Sequence, residues 1–247
     1  MEIMARLLFV FFISVVHLNM MAQNPLAITG QVKCQGDGVA NVVVTNGFDC
    51  VLTDASGKYT IPYHRDARFV YVTTPAGYLP QRDGSLPLFY QHIIEGTFIY
   101  DFSLVKNPRN DDRHLFLVQA DVQLGKGEDV AAYAEYLKDM REFINRHSEY
   151  DLFVLDCGDI VGNALSLFPS YKQTSDVLDV PMYRVIGNHD MEYGVRSYEH
   201  SYKTYEECFG PIYYSFNRGK AHYIVLDNCY YINRNYRYIG YIDAVSY

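Results

Sequence analysis

The chain has 247 residues, 49% of them hydrophobic and 20% charged, with no tryptophan. That composition belongs to a globular protein and excludes a disordered, collagen-like or coiled-coil chain. Lys and Arg total 21 against 29 Asp and Glu, a net charge of −8 with no basic block, so sequence-independent nucleic-acid binding is not expected.

Residues 1–6 form a short positive start, and residues 7–16 (LLFVFFISVV) an apolar run. At about ten residues that run suits a signal-peptide core and is too short to span a bilayer. A leader covering 1–22, cleaved near Ala22, is expected, and with it a periplasmic or secreted location. No Cys follows the run and no later stretch is apolar enough to span, so neither a lipid anchor nor a transmembrane helix is expected. Five cysteines, Cys34, Cys50, Cys157, Cys208 and Cys229, are too few for a disulfide scaffold. A Cys34–Cys50 bridge between neighbouring strands and five buried free thiols are both open readings.

Residues 26–105 are rich in Val, Thr, Tyr and Phe. Strands are expected at 27–33, 39–45, 58–62, 69–73 and 97–104. Gly-containing turns separate them, and together they indicate a small all-β sandwich. Residues 106–113 are polar, contain Pro108 and read as a linker. From His114 the texture changes. An apolar strand at 114–118 precedes a helix at 128–147 with Val130, Tyr133, Leu137, Met140 and Ile144 on one stripe. Further strands are expected at 152–155 and 182–186, helices within 163–178 and at 198–209, and a hairpin from 213–216 and 222–226. This alternation argues an α/β layer over 114–247 whose sheet is covered on both faces.

The informative residues lie where the strands end. The first runs into Asp121-Val122-Gln123, the second into Gly158-Asp159-Ile160-Val161-Gly162, the third into Gly187-Asn188-His189-Asp190. Ligands of α/β sheets bind beyond the carboxyl ends of strands, so three successive strands deliver carboxylate, amide and imidazole groups to one edge. Oxygen donors with few sulfurs suit a hard or borderline divalent ion. A histidine beside an acidic residue suits contact with a phosphoryl oxygen or protonation of a leaving oxygen. Taken singly, a Gly-Asp pair is a turn and Asp121 a helix cap; the conjunction in this order carries the reading. No G-x-S-x-G elbow, Walker A loop or dinucleotide fingerprint is present.

The three blocks together resemble the calcineurin-like metallophosphoesterase superfamily. The stretch from Tyr213 to Asp227 resembles the hairpin after the third block in secreted bacterial members, and residues 51–59 and 74–78 the transthyretin-like sandwich that precedes the catalytic domain there. The resemblance implies a four-layer αββα-type α/β sandwich, here incomplete, preceded by the small all-β sandwich. It implies two divalent ions (Mn, Fe, Zn or Mg) and a phosphate-ester substrate, monoester or diester, hydrolysed by a metal-activated water. Asp121 and Gln123 would bind the first ion, Asp159 bridge, and Asn188 bind the second. His189 would be catalytic, with Asp190 supporting it. Gln123 stands where His is commoner, which weakens the argument for zinc. The late metal-binding His and the GH-x-H block of the superfamily are absent through Tyr247. The expectation is therefore the N-terminal portion of a catalytic domain, holding at most one ion weakly. Its rival is an inactive member serving as a binding or surface-assembly module. His200 and His222 are expected to be structural, and Asp227 to cap a strand end.

Overall fold

The computed structural model describes residues 26–233 and 238–242. The leader expected at 1–22 lies outside them. The first 80 or so described residues form two facing sheets. In one, Ala27–Cys34 lies antiparallel to Lys58–Pro62 (Ala27 opposite Pro62) and parallel to Phe102–Lys106 (Val32 opposite Phe102). The other orders Tyr90–His92, Phe69–Val72, Val43–Thr45 and Cys50–Leu52. Lys58–Pro62 alternates exposed and buried residues, the signature of a strand with one face on a core. That core holds Ile28, Val32, Val44, Ile61, Val70 and Val72.

The strand expected at 97–104 starts only at Phe102. Gly30 explains the delay. A Cβ there would lie 1.8 Å from the Tyr100 carbonyl oxygen, so the chain crosses directly over Gly30. Around Tyr100 it forms no strand but the isolated bridge Thr29–Ile99, with Tyr100 N–H bonded to Thr29 O at 2.9 Å. The cysteines are all free, with Cys50 and Cys157 exposed, so neither the Cys34–Cys50 bridge nor burial of all five thiols holds.

The α/β layer is a parallel sheet of His114–Gln119, Asp151–Asp156 and Met182–Arg184, the middle strand central. Helix Gly127–Arg146 lays Tyr133, Leu137, Met140 and Ile144 on one face of this sheet, in a core with Leu152, Val154 and Phe168. Its start is set by Asp129, whose carboxylate accepts the N–H groups of Gly125 (2.9 Å) and Lys126 (3.0 Å). Acidic Glu128 and Asp129 in the first turn and Arg146 in the last match the helix dipole. On the other face of the sheet lies the hairpin Tyr214–Arg218 and Ala221–Val225. Phe216 stacks on Tyr183 at 3.7 Å, and Tyr223 meets Phe153 at 5.3 Å and Phe116 at 5.8 Å. Fully buried Arg218 pairs with Asp151 at 3.2 Å and donates to Tyr183 Oη at 2.9 Å. The helix expected at 198–209 is broken into Tyr198–Ser201 and Lys203–Phe209. No helix among the described residues is long and apolar enough to cross a membrane.

No sheet runs through 107–113, yet the sandwich and the α/β layer share one core. Phe89 is buried among Tyr90, Tyr183 and Tyr214. The sandwich reaches both layers of the second unit. Thr74 O accepts Asn217 N–H at 2.9 Å beside the hairpin, and Ser85 O accepts Met182 N–H at 2.8 Å beside the parallel sheet. Buried Arg184 donates to Ser85 Oγ at 2.8 Å. Asp111, in the connecting segment, accepts Gly77 N–H at 2.6 Å. The sequence pattern sets a sandwich apart from an α/β domain, and the two pack together on one flank. Among the described residues the opposite flank is uncovered: His114–Gln119 is the outer strand of its sheet. Phe116 (44%) and Val118 (55%) are exposed there.

Candidate metal centre

Three loops leave the carboxyl ends of the parallel strands and are laced together by backbone bonds. Asp121 N–H donates to Gly158 O at 3.0 Å, Gln123 N–H to Asp159 O at 2.8 Å, and Asn163 N–H to His189 O at 3.2 Å. The approach of the second and third loops requires glycine. A Cβ on Gly187 would lie 2.2 Å from both Asp159 N and Asp159 Oδ1. Seven described non-glycine residues have positive φ, and four sit here: Asp121 (+55°), Gln123 (+46°), Asp159 (+52°) and Asn163 (+67°). Each such backbone costs on the order of 1 kcal/mol and persists only where surrounding bonds over-determine it. The concentration of this strain at one edge marks the edge as a built site.

Gln123 reaches both Asp121 and Asp159. Gln123 Nε2 lies 3.2 Å from Asp121 Oδ1 and 3.4 Å from Asp159 Oδ2. The other oxygen of Asp159 accepts His189 N–H at 2.9 Å, so the third loop is tied to the same carboxylate. Asn188 opens the short turn Asn188–Asp190. Its backbone carbonyl accepts the Tyr193 hydroxyl at 2.6 Å.

Asp190 has a different role from the one its position beside His189 suggests. It is fully buried, and its two oxygens accept Val161 N–H (3.0 Å) and Gly187 N–H (2.9 Å). It supports the histidine by clamping the second loop to the third, not by facing the ring. Burial pushes its carboxyl up to about 7, with Asp156 adding to the rise. The imidazole instead meets Asn163: His189 Nδ1 lies 3.1 Å from Asn163 Oδ1. Sequence reading passed over Asn163 because the Gly-Asp block ends at Gly162. The signal was an Asn straight after that glycine, a residue tolerant of left-handed φ. Tyr193 gave no sequence signal.

The later candidates are structural. Asp227 accepts Tyr198 Oη–H at 2.6 Å and Cys229 N–H at 2.7 Å, the capping role expected of it. Burial pushes its carboxyl up to about 6. His200 Nδ1 meets Ser197 Oγ, and His222 Nδ1 meets Asn217 Oδ1, both at 2.7 Å.

The donor set can be tested against a divalent ion on this geometry. Oxygens of Asp121 and Asp159 converge on one point, now taken by an amide nitrogen, and two carboxylates with an amide oxygen make a hard set. These residues fit one ion. Among the described residues no group of three or more His, Cys, Asp or Glu is arranged to hold a metal. For a second ion the matching residues are Asp159 and Asn188 alone.

Residues 114–242 match the family model described as calcineurin-like phosphoesterase, and residues 26–107 match the model described as N terminal of calcineurin-like phosphoesterase. No curated protein matches the chain.

Proposed function

The chain belongs to the calcineurin-like phosphoesterase family, whose members use divalent metal ions on phosphate esters, and on that premise we propose that it is an exported hydrolase of a phosphomonoester or phosphodiester. The convergence of Asp121, Gln123 and Asp159 on one point carries this reading. A divalent ion held there supplies Lewis-acid polarisation of a phosphoryl oxygen and an activated water. Asp121, Gln123 and Asp159 would hold the ion, and Asn188 with Asp159 would hold a second. His189 N–H fixes one oxygen of Asp159, leaving the other for the ion. Asn163 Oδ1 accepts from His189 Nδ1–H, so Nε2 is the nitrogen turned to the substrate, to bind a phosphoryl oxygen or to protonate the leaving oxygen. Export rests on the leader pattern of residues 1–22, and the net charge of −8 argues against a nucleic-acid partner.

One observation favours a second reading. Among the described residues only Asp159 and Asn188 match the second ion's position, and in this reading the chain is catalytically inactive and serves as a binding or surface-assembly module. Hydrolysis of p-nitrophenyl phosphate and its bis-ester with added Mn²⁺, Mg²⁺ or Zn²⁺ separates the two. Chelator-sensitive turnover lost in Asp159→Ala establishes the enzyme. Ion binding without turnover establishes the module.

A further inference from the structure

Gln123 is the member of the site whose chemistry is least explained by catalysis. Its amide lies between two carboxylates, 3.2 Å from Asp121 Oδ1 and 3.4 Å from Asp159 Oδ2. Electrostatics decides which end of the amide faces them. The carbonyl oxygen in that position would set a partial negative charge against two full ones, whereas the NH₂ group offers a donor to each. The backbone beneath cannot relieve the crowding by drifting apart. Asp121 N–H and Gln123 N–H are bonded to the carbonyls of Gly158 and Asp159, and Leu124 bridges Val161. The two carboxylates are thus held facing one point, and the NH₂ group sits where a cation shared by them would sit.

We propose that Gln123 is a built-in stand-in for the metal ion: its NH₂ group bridges Asp121 and Asp159 in the ion-free protein, and the amide turns over to offer Oε1 when a divalent ion takes its place. The reading rests on the metal site proposed above, but it makes separate claims. A neutral imidazole at 123 has a single N–H and could donate to only one of the two carboxylates, whereas the amide NH₂ has a donor for each. An amide carries both ends at once. Among the described residues the first ion then meets oxygen donors, a set that suits Mg²⁺ or Mn²⁺ and lacks the nitrogen or sulfur that Zn²⁺ favours.

The test uses three versions of the full chain, with melting temperature and calorimetric ion affinity as readouts. Gln123→Glu places a third carboxylate at the meeting point. Without metal it should melt about 2–4 °C below the parent chain, and the stabilisation by saturating Mn²⁺ should exceed that of the parent. Gln123→His should raise Zn²⁺ affinity at least about tenfold while moving Mn²⁺ affinity less than about threefold; histidine tolerates the left-handed backbone at 123. An unchanged ion-free melting temperature in Gln123→Glu overturns the stand-in role. Equal changes for Zn²⁺ and Mn²⁺ in Gln123→His overturn the oxygen-only set. Ion binding with the expected variant pattern but no hydrolysis sinks the enzymatic reading and leaves this one standing. Absence of any divalent-ion binding sinks both.

Discussion

Phe89→Ala probes whether the sandwich and the α/β layer are one folding unit. The ring is 3% exposed and lies 4.7 Å from Tyr214, 5.4 Å from Tyr90 and 6.4 Å from Tyr183. Tyr90 belongs to the sandwich; Tyr183 and Tyr214 belong to the α/β layer. Truncating a buried Phe costs about 3–5 kcal/mol, aromatic contacts included. Taking about 3.5 kcal/mol and about 2–4 °C per kcal/mol for a chain of this size, the melting temperature should fall by about 10 °C. Because the ring serves both units, the loss should move a single cooperative transition. Scanning calorimetry, with far-ultraviolet circular dichroism and tyrosine fluorescence as independent probes, reads this directly. Two transitions, of which the substitution moves only one, would refute the shared core. So would a shift under about 3 °C.

Gly187→Ala should force Asp159 aside, cost about 1–3 kcal/mol and weaken Mn²⁺ binding at least about tenfold, because the new methyl would sit 2.2 Å from Asp159 N; unchanged ion affinity by calorimetry would contradict the contact. If the chain is hydrolytic, Asn163→Ala should lower kcat about 10–100-fold with little change in KM, and Asn163→Asp should retain most activity; equal losses in both variants would argue that Asn163 does not orient His189. Asp227 has its carboxyl raised from 3.8 to about 6, so its contribution to stability is full below about pH 4 and is lost as pH rises through about 6. That gap is worth at most about 3 kcal/mol, and urea titrations from pH 4 to 8 should show the decline in the parent chain and its flattening in Asp227→Asn.

Long periodic elements and strand-end motifs were legible in the sequence. The stripe from Tyr133 to Ile144 determines the face of helix Gly127–Arg146 that meets the core, and the glycines at 158 and 187 mark where the loops close in. What the sequence hid depends on contacts made across long separations. The hairpin pair Arg82–Asp83 and Leu86–Pro87 is too short and polar to register as strand, yet the Ser85 between them caps the edge of Met182–Arg184. The crossing of Tyr100 over Gly30 cuts short a strand whose residues have every local preference for it. In the site, the residue types were readable but their assignments were not. Asp190 looked like a partner for an imidazole because the two are adjacent. A turn three residues long turns it inward to backbone N–H groups, and leaves the ring to an asparagine 26 positions away.

Among the described residues the α/β layer has one flank sealed by the sandwich and one uncovered along the outer strand His114–Gln119, whose Phe116 and Val118 are exposed. Such one-sidedness limits how copies of the layer can join. Edge-to-edge growth into a filament needs a free border at each end. Here a second copy meeting the bare flank by a twofold rotation would use up both borders at once.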